Sequence, residues 1–242
     1  MPRVNTSQAH PAMINLLRTG LAALANPDRA IQQQAYMKTT MPFAGVGAPD
    51  IKKMCREVFK KHPPDNQAQW LATARTLWDE MSYREERYIA VQLLATPRFQ
   101  KRWLTPVCLP LLRDLIQSGA WWDLVDALAI NHVGRLLATH ESEIKPILQE
   151  WINDEDLWIR RTTILAQLKF KADTDLIFLN AAILGSIDDP DFFARKAIGW
   201  ALRELSKTNP DWVLAYTDQH KARLSGLSVR EGLKVLKKDG RI

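Results

Sequence analysis

Cysteine is nearly absent from this 242-residue chain. Only Cys55 and Cys108 occur, in no CxxC and without a histidine at ligand spacing, which excludes a disulfide framework and an ordinary structural zinc site. The five histidines (His10, His62, His132, His140, His220) are scattered, so no metal is expected. No run reaches the roughly 18 to 20 apolar residues of a membrane span. The N-terminal stretch AMINLLRTGLAALA is interrupted by Arg18 and followed by no cleavage site in frame, so it reads as an amphipathic helix and not as a leader. Strand signals are missing as well: alternating runs of Val, Ile and Thr are few. These absences together point to an all-α protein of the reducing cytoplasm, without a membrane.

Hydrophobic residues make up 46% of the chain and charged residues 25%, a balance that favours a folded core over disorder. Thirty-three Lys and Arg against 27 Asp and Glu give a net charge of +6, which admits a polyanionic partner without requiring one. Helix-period stretches separated by short Pro, Gly, Asp or Asn punctuation run from about residue 10 to residue 238. The segment 39 to 66, with MPFAGVGAP and HPPD, is the least regular and reads as a turn or loop between the N-terminal helices and the helical array.

The helices repeat. Tyr83, Trp121, Trp158 and Phe193 each open a helix of similar length at intervals of 35 to 38 residues. The best copies, DLWIRRTTILAQL and DFFARKAIGWAL, share an acidic residue, an aromatic and a basic pair, and SVREGLKVL is a fainter copy. Partner helices EIKPILQEWI, TDLIFLNAAIL and NPDWVLAYTDQH lie between them. Two helices per repeat of this length predict a HEAT-like helical-repeat solenoid whose concave face carries the function, with residues 1–242 forming a single repeat domain.

Within SGAWWDLVDALAIN (118–131), Trp121, Leu124, Val125 and Leu128 form a core-facing stripe, whereas Trp122 and Asp126, four apart, share a different face. Asp123 in the first turn is explained by the helix dipole. On the helix over 191–207, Ala194, Ala197, Ile198, Ala201 and Leu205 face the core, and Lys196, Trp200, Arg203 and Lys207 run along another face. An aromatic among cations suits a nucleic-acid backbone, although this helix taken alone fits better an indole covered by Lys and Arg stems. Arg161 falls within an apolar stripe, where a charge must be paired with a carboxylate or functional. Matching faces of consecutive repeats carry Asp126, Arg161 and Trp200, so these can converge with Trp122.

SGAWWDLVDALAINHVG, DLWIRRTTILAQL and FFARKAIGWALRELSKTNPDWV strongly resemble the AlkD-type DNA glycosylases of the DNA alkylation repair family, HEAT-like-repeat enzymes that excise alkylated purines. The resemblance extends to AYMKTTMPFAGV and YREERYIAVQLL, covers most of the chain, and is weakest over residues 1 to 25 and at the extreme C-terminus. It implies a catalytic Asp126, cleft tryptophans Trp122 and Trp200, a cleft arginine Arg161 holding a phosphate near the lesion, and DNA contacts from Arg203 and Tyr36. Lys196 and Lys207 extend that DNA-binding set through the basic face. No cofactor and no metal are implied, and the expected partner is double-stranded DNA with alkylated bases, bound by a monomer.

The chemistry agrees with so small a residue set. A purine alkylated at N3 or N7 is already cationic and leaves as a neutral base, so no enzyme acid is required. The sugar develops oxocarbenium character instead, which a carboxylate and tryptophan faces stabilise. Two other classes compete: a non-catalytic helical scaffold binding DNA or protein, and a metal-dependent nuclease using Asp123 and Asp126, for which no third ligand is evident.

Overall fold

The computed structural model of the chain describes residues 4–242, and every regular element among them is helical. The expected all-α, helical-repeat fold is what the chain adopts. It packs as two compact units, Met1–Leu111 and Leu112–Ile242, each described by itself. The first holds α1 (Pro11–Ala23), α2 (Pro27–Met37), α3 (Ala48–Lys61), α4 (Gln67–Asp79), α5 (Arg84–Leu94) and α6 (Pro97–Trp103). The boundary falls inside α7 (Leu109–Gly119). The second unit continues with α8 (Trp122–Leu128), α9 (Gly134–Thr139), α10 (Glu141–Trp151), α11 (Leu157–Leu165), α12 (Leu176–Leu184), α13 (Phe192–Leu205), α14 (Pro210–Gln219), α15 (Gly226–Gly232) and α16 (Lys234–Lys238).

The punctuation between helices is mostly caps. Side chains of Asn26, Asn66, Asp156, Asp175, Asp191 and Asn209 accept backbone N–H bonds at the starts of α2, α4, α11, α12, α13 and α14, satisfying donors that the first turn leaves unpaired. Tyr83, Trp121, Trp158 and Phe193 sit at or just inside the starts of α5, α8, α11 and α13, as the repeat requires. In the second unit α8, α11, α13 and α15 pack in succession as one layer, with α10 and α12 against α11 and α14 against α13 as the second.

One expectation is overturned. The segment 39 to 66 is no plain loop, because its centre forms the four-turn helix α3. Pro49 occupies the first turn, where a missing N–H costs nothing. Ile51, Met54, Cys55 and Phe59, at i, i+3, i+4 and i+8, are buried and pack the helix against α1 and α5. The glycines and the other prolines flank this helix, and Pro49 in its first turn does not interrupt it.

The loop before α3 is clamped by a carboxylate from the next repeat helix. Glu85, fully buried on α5, accepts the backbone N–H groups of Ala44, Gly45 and Val46 at 3.0, 2.8 and 3.1 Å. Gly45 lies at φ +81°, and a Cβ there would come within 1.9 Å of the Asn26 carbonyl oxygen, so only glycine fits. The neighbouring Glu86, also buried, pairs with Arg18 at 2.7 Å and caps its own helix.

Glu85→Ala strands three buried donors, each worth about 1 to 3 kcal/mol. We expect it to lower unfolding stability by about 3 kcal/mol or more, read as a shifted urea midpoint with an unchanged slope. A loss under about 1 kcal/mol would show that other contacts hold the loop.

Candidate active site

Trp121 has an extended backbone (φ −153°, ψ 143°) and precedes α8 as its N-cap. It therefore lies outside the helical stripe in which the sequence periodicity places it. Leu124, Val125 and Leu128 are fully buried and fix the orientation of the helix. Trp122 and Asp126, one turn apart on the same face, are left half-buried. The helical run then continues through a π-turn at Ala129–Val133 into α9. Nothing in the sequence periodicity marks that turn. Gly134 follows it, where a Cβ would sit 2.1 Å from the Ala166 carbonyl oxygen, so this glycine lets α9 approach the end of α11 closely.

α8 also packs beside α11, and Arg161 on α11 meets Asp126. Its Nε donates to Oδ1 at 2.7 Å and its Nη2 to Oδ2 at 2.8 Å, a bidentate fork. The remaining terminal nitrogen, Nη1, donates to the Phe193 carbonyl at the start of α13. The Arg161 side chain is 3% exposed and that of Asp126 is 13%. All three nitrogens are therefore engaged inside the protein, and structural pairing accounts for the burial of Arg161. A guanidinium within an apolar stripe cannot remain unpaired, and the carboxylate one repeat earlier is its partner. Burial pushes the Asp126 carboxyl above its ordinary value; the Arg161 fork opposes this, and Asp123 adds to the rise.

The repeat aromatics close one side of this pair. Trp121, Trp158 and Phe193 lie with ring centroids 6.3, 5.3 and 5.0 Å apart, and the Arg161 guanidinium stands 6.0 Å from the Phe193 ring centre. In the sequence Phe193 reads only as a repeat marker; its carbonyl is a functional contact that no side-chain motif reveals. On α13, Phe193 and Trp200 are seven residues apart and share a face, two turns along the axis. Trp200 is half-buried.

The cations around Trp200 are committed to partners. Lys196 and Arg203 both hold Glu231 of α15 at 2.9 Å, and Lys207 pairs with Glu204 at 2.6 Å. Lys196 first, with Arg203 assisting, keeps the Glu231 carboxyl below its ordinary range against the effect of burial. The row that the sequence presents as a phosphate-ready face is in large part the ionic seam between α13 and α15. Tyr36 lies in the first unit, 75% exposed at the end of α2. A cavity of about 560 Å³ between α11, α12 and α13 includes none of Trp122, Asp126, Arg161 or Trp200.

A helical-repeat protein in which helices of consecutive repeats meet at a buried arginine–aspartate pair is the class that fold and site define. The chain belongs to the DNA alkylation repair family: the model for "DNA alkylation repair enzyme" matches residues 17–236. A solved structure described as a predicted DNA alkylation repair enzyme from Enterococcus faecalis is similar at 32% identity, over 87% of this chain and 95% of that one, with a TM-score of 0.77. No curated protein matches. The protein's role lies in DNA alkylation repair.

Removing Arg161 leaves Asp126 as an uncompensated, largely buried carboxylate. Arg161→Ala should cost about 3 to 5 kcal/mol of stability, while the salt dependence of DNA binding stays as in the parent. Chemical denaturation and a salt series test both, and a slope lowered by about one unit without destabilisation would restore the phosphate-clamp role.

Proposed function

We propose that this protein is a DNA glycosylase that hydrolyses the N-glycosidic bond of cationic N3- and N7-alkylated purines in duplex DNA. The observation that carries this reading is the Asp126 carboxylate, held through both oxygens by buried Arg161 and set one helical turn from Trp122 on the same face. Family membership supports a repair role; the glycosylase step is inferred from the site.

When the bond from C1′ to the base nitrogen breaks, its electron pair goes to the base, which departs neutral. The sugar is left electron-deficient at C1′. Asp126 stabilises that charge and orients a water whose oxygen bonds to C1′; the water's proton passes to the carboxylate and then to solvent. The faces of Trp122 and Trp200 add cation-π stabilisation. Arg161 acts through Asp126: it fixes the rotamer and favours ionisation in a buried setting. It is a positioning residue, not a contact to the reacting atoms. Tyr36 is assigned as a DNA contact, whereas Lys196, Arg203 and Lys207 reach a phosphate only by exchanging a carboxylate partner.

A metal-dependent nuclease is less well supported. Both Asp126 oxygens already accept from Arg161, and no group of three His, Cys, Asp or Glu side chains able to hold a metal occurs among the described residues.

Release of 3-methyladenine or 7-methylguanine from methylated duplex DNA, followed by mass spectrometry in the presence of chelator, is the direct test. Asp126→Asn should lower that release by about 10²-fold or more, equivalent to about 2.7 kcal/mol, in protein verified as folded by circular dichroism. Asp123→Asn should lose about 0.3 to 1 kcal/mol of stability and little rate. Undiminished release from Asp126→Asn would sink the reading, and no release from the parent protein would favour the scaffold. Removal of uracil would contradict the cationic-lesion requirement.

The pH profile follows from the direction of the Asp126 shift. Catalysis uses the ionised carboxylate, whose pKa is raised by burial, so activity falls as pH drops through that raised value. The acid limb of the single-turnover rate should lie above the ordinary aspartate value of about 3.9. A limb at or below it would argue against Asp126 as the titrating group.

A further inference from the structure

We infer that α3, in the first unit, is a DNA phosphate-binding helix that supplies a substantial share of the electrostatic affinity for duplex DNA. This rests on the DNA-binding part of the proposed function and not on its chemistry. Five cations, Lys52, Lys53, Arg56, Lys60 and Lys61, stand exposed on this helix, which also carries two exposed carboxylates, Asp50 in the first turn and Glu57. None of the five makes an ion pair or a side-chain hydrogen bond among the described residues. The cations of α13 differ in this respect, since Lys196, Arg203 and Lys207 are each bound to a glutamate.

Position strengthens the argument. At 100° per residue Lys53, Arg56 and Lys60 fall within an arc of about 60°, spread along about 10 Å of the axis. That geometry lets one helix face meet several phosphates of a backbone at once. Lys52 lines a cavity of about 320 Å³ together with Tyr36, Phe43 and Tyr88, so the charged row is continuous with an exposed aromatic of the kind that lies against sugar or base. The clamped loop at Glu85 leads directly into the first turn of the helix and fixes where it begins.

The apolar face of α3 is already buried through Ile51, Met54, Cys55 and Phe59. A helix lying in a membrane surface needs such a face free. The exposed side is therefore suited to a partner recognised by charge, and a polyphosphate backbone is the partner it fits. Because the side chains are exposed and unpaired, replacing them disturbs no folded contact.

The test is fluorescence anisotropy of a short undamaged duplex across a salt series, comparing the parent, K53A/R56A/K60A and the charge-matched K234A/K237A/K238A, whose lysines are also exposed. Each lost phosphate contact lowers the slope of log K against log salt by about 0.9, so the α3 variant should lose about 2.7. The α16 variant should lose less than one contact's worth. Equal losses in the two variants would reduce the effect to net charge and overturn the assignment, as would an unchanged slope in the α3 variant. Binding to anionic phospholipid vesicles with none to duplex would overturn it in favour of a membrane surface. Undamaged DNA carries no lesion, so failure of base release in the Asp126 experiment leaves this result standing, and failure here leaves the excision chemistry standing.

Discussion

One guanidinium joins three helices. Arg161 is on α11, its fork closes on Asp126 of α8, and its last donor reaches the carbonyl that begins α13. A buried ion pair is poor at adding net stability, because desolvating both charges offsets most of their attraction. Its effect here is on geometry. With two bonds to one carboxylate and a third to the backbone, Asp126 is held in one rotamer relative to Trp122 beside it, and α13, which carries Trp200, is registered against the same atom group. If the pair shifts, the carboxylate loses its fixed orientation on α8 and α13 loses a contact at its start.

The repeat explains why the partner is Asp126. Inner helices that start at equivalent aromatics present equivalent faces, so a basic residue near the start of one reaches an acid about one repeat away. Arg161 finds Asp126 35 residues earlier, and Lys196, at the matching position on α13, finds Glu231 on the following helix. The clustered rings of Trp121, Trp158 and Phe193 are the packing counterpart of the same periodicity. Evenly spaced aromatics in the sequence become a ring contact in space, and the ions align because the rings do.

Much of this is legible without coordinates, since helix period, caps and repeat spacing are local properties. Ala194, Ala197, Ile198, Ala201 and Leu205 read as the buried face of α13, and they are buried. The features hidden from the sequence depend on partners distant along it. Arg161 is recognisable as a charge in an apolar stripe, yet its partner Asp126 lies 35 residues away and no local pattern names it. The cations beside Trp200 look free because Glu231 lies about 30 residues on, in a short helix. The helix at 48–61 is obscured by flanking glycines and prolines, although its own i, i+3, i+4 pattern is present. The π-turn after α8 leaves no compositional mark at all.

The asymmetry of the Arg161–Asp126 pair links structure to proposed chemistry. Buried in isolation, Asp126 would hold its proton and offer no charge to a developing oxocarbenium ion. Paired with an equally exposed cation, it would be ionised but neutralised from the substrate's side. Here the cation is the more deeply buried partner, 3% against 13% exposed, and of the two the carboxylate keeps the larger solvent-facing surface. In the proposed reaction a carboxylate in this setting favours developing positive charge nearby and disfavours phosphate. Phosphate contacts are then best made elsewhere, by cations that no carboxylate engages, and the exposed face of α3 in the first unit has five of these.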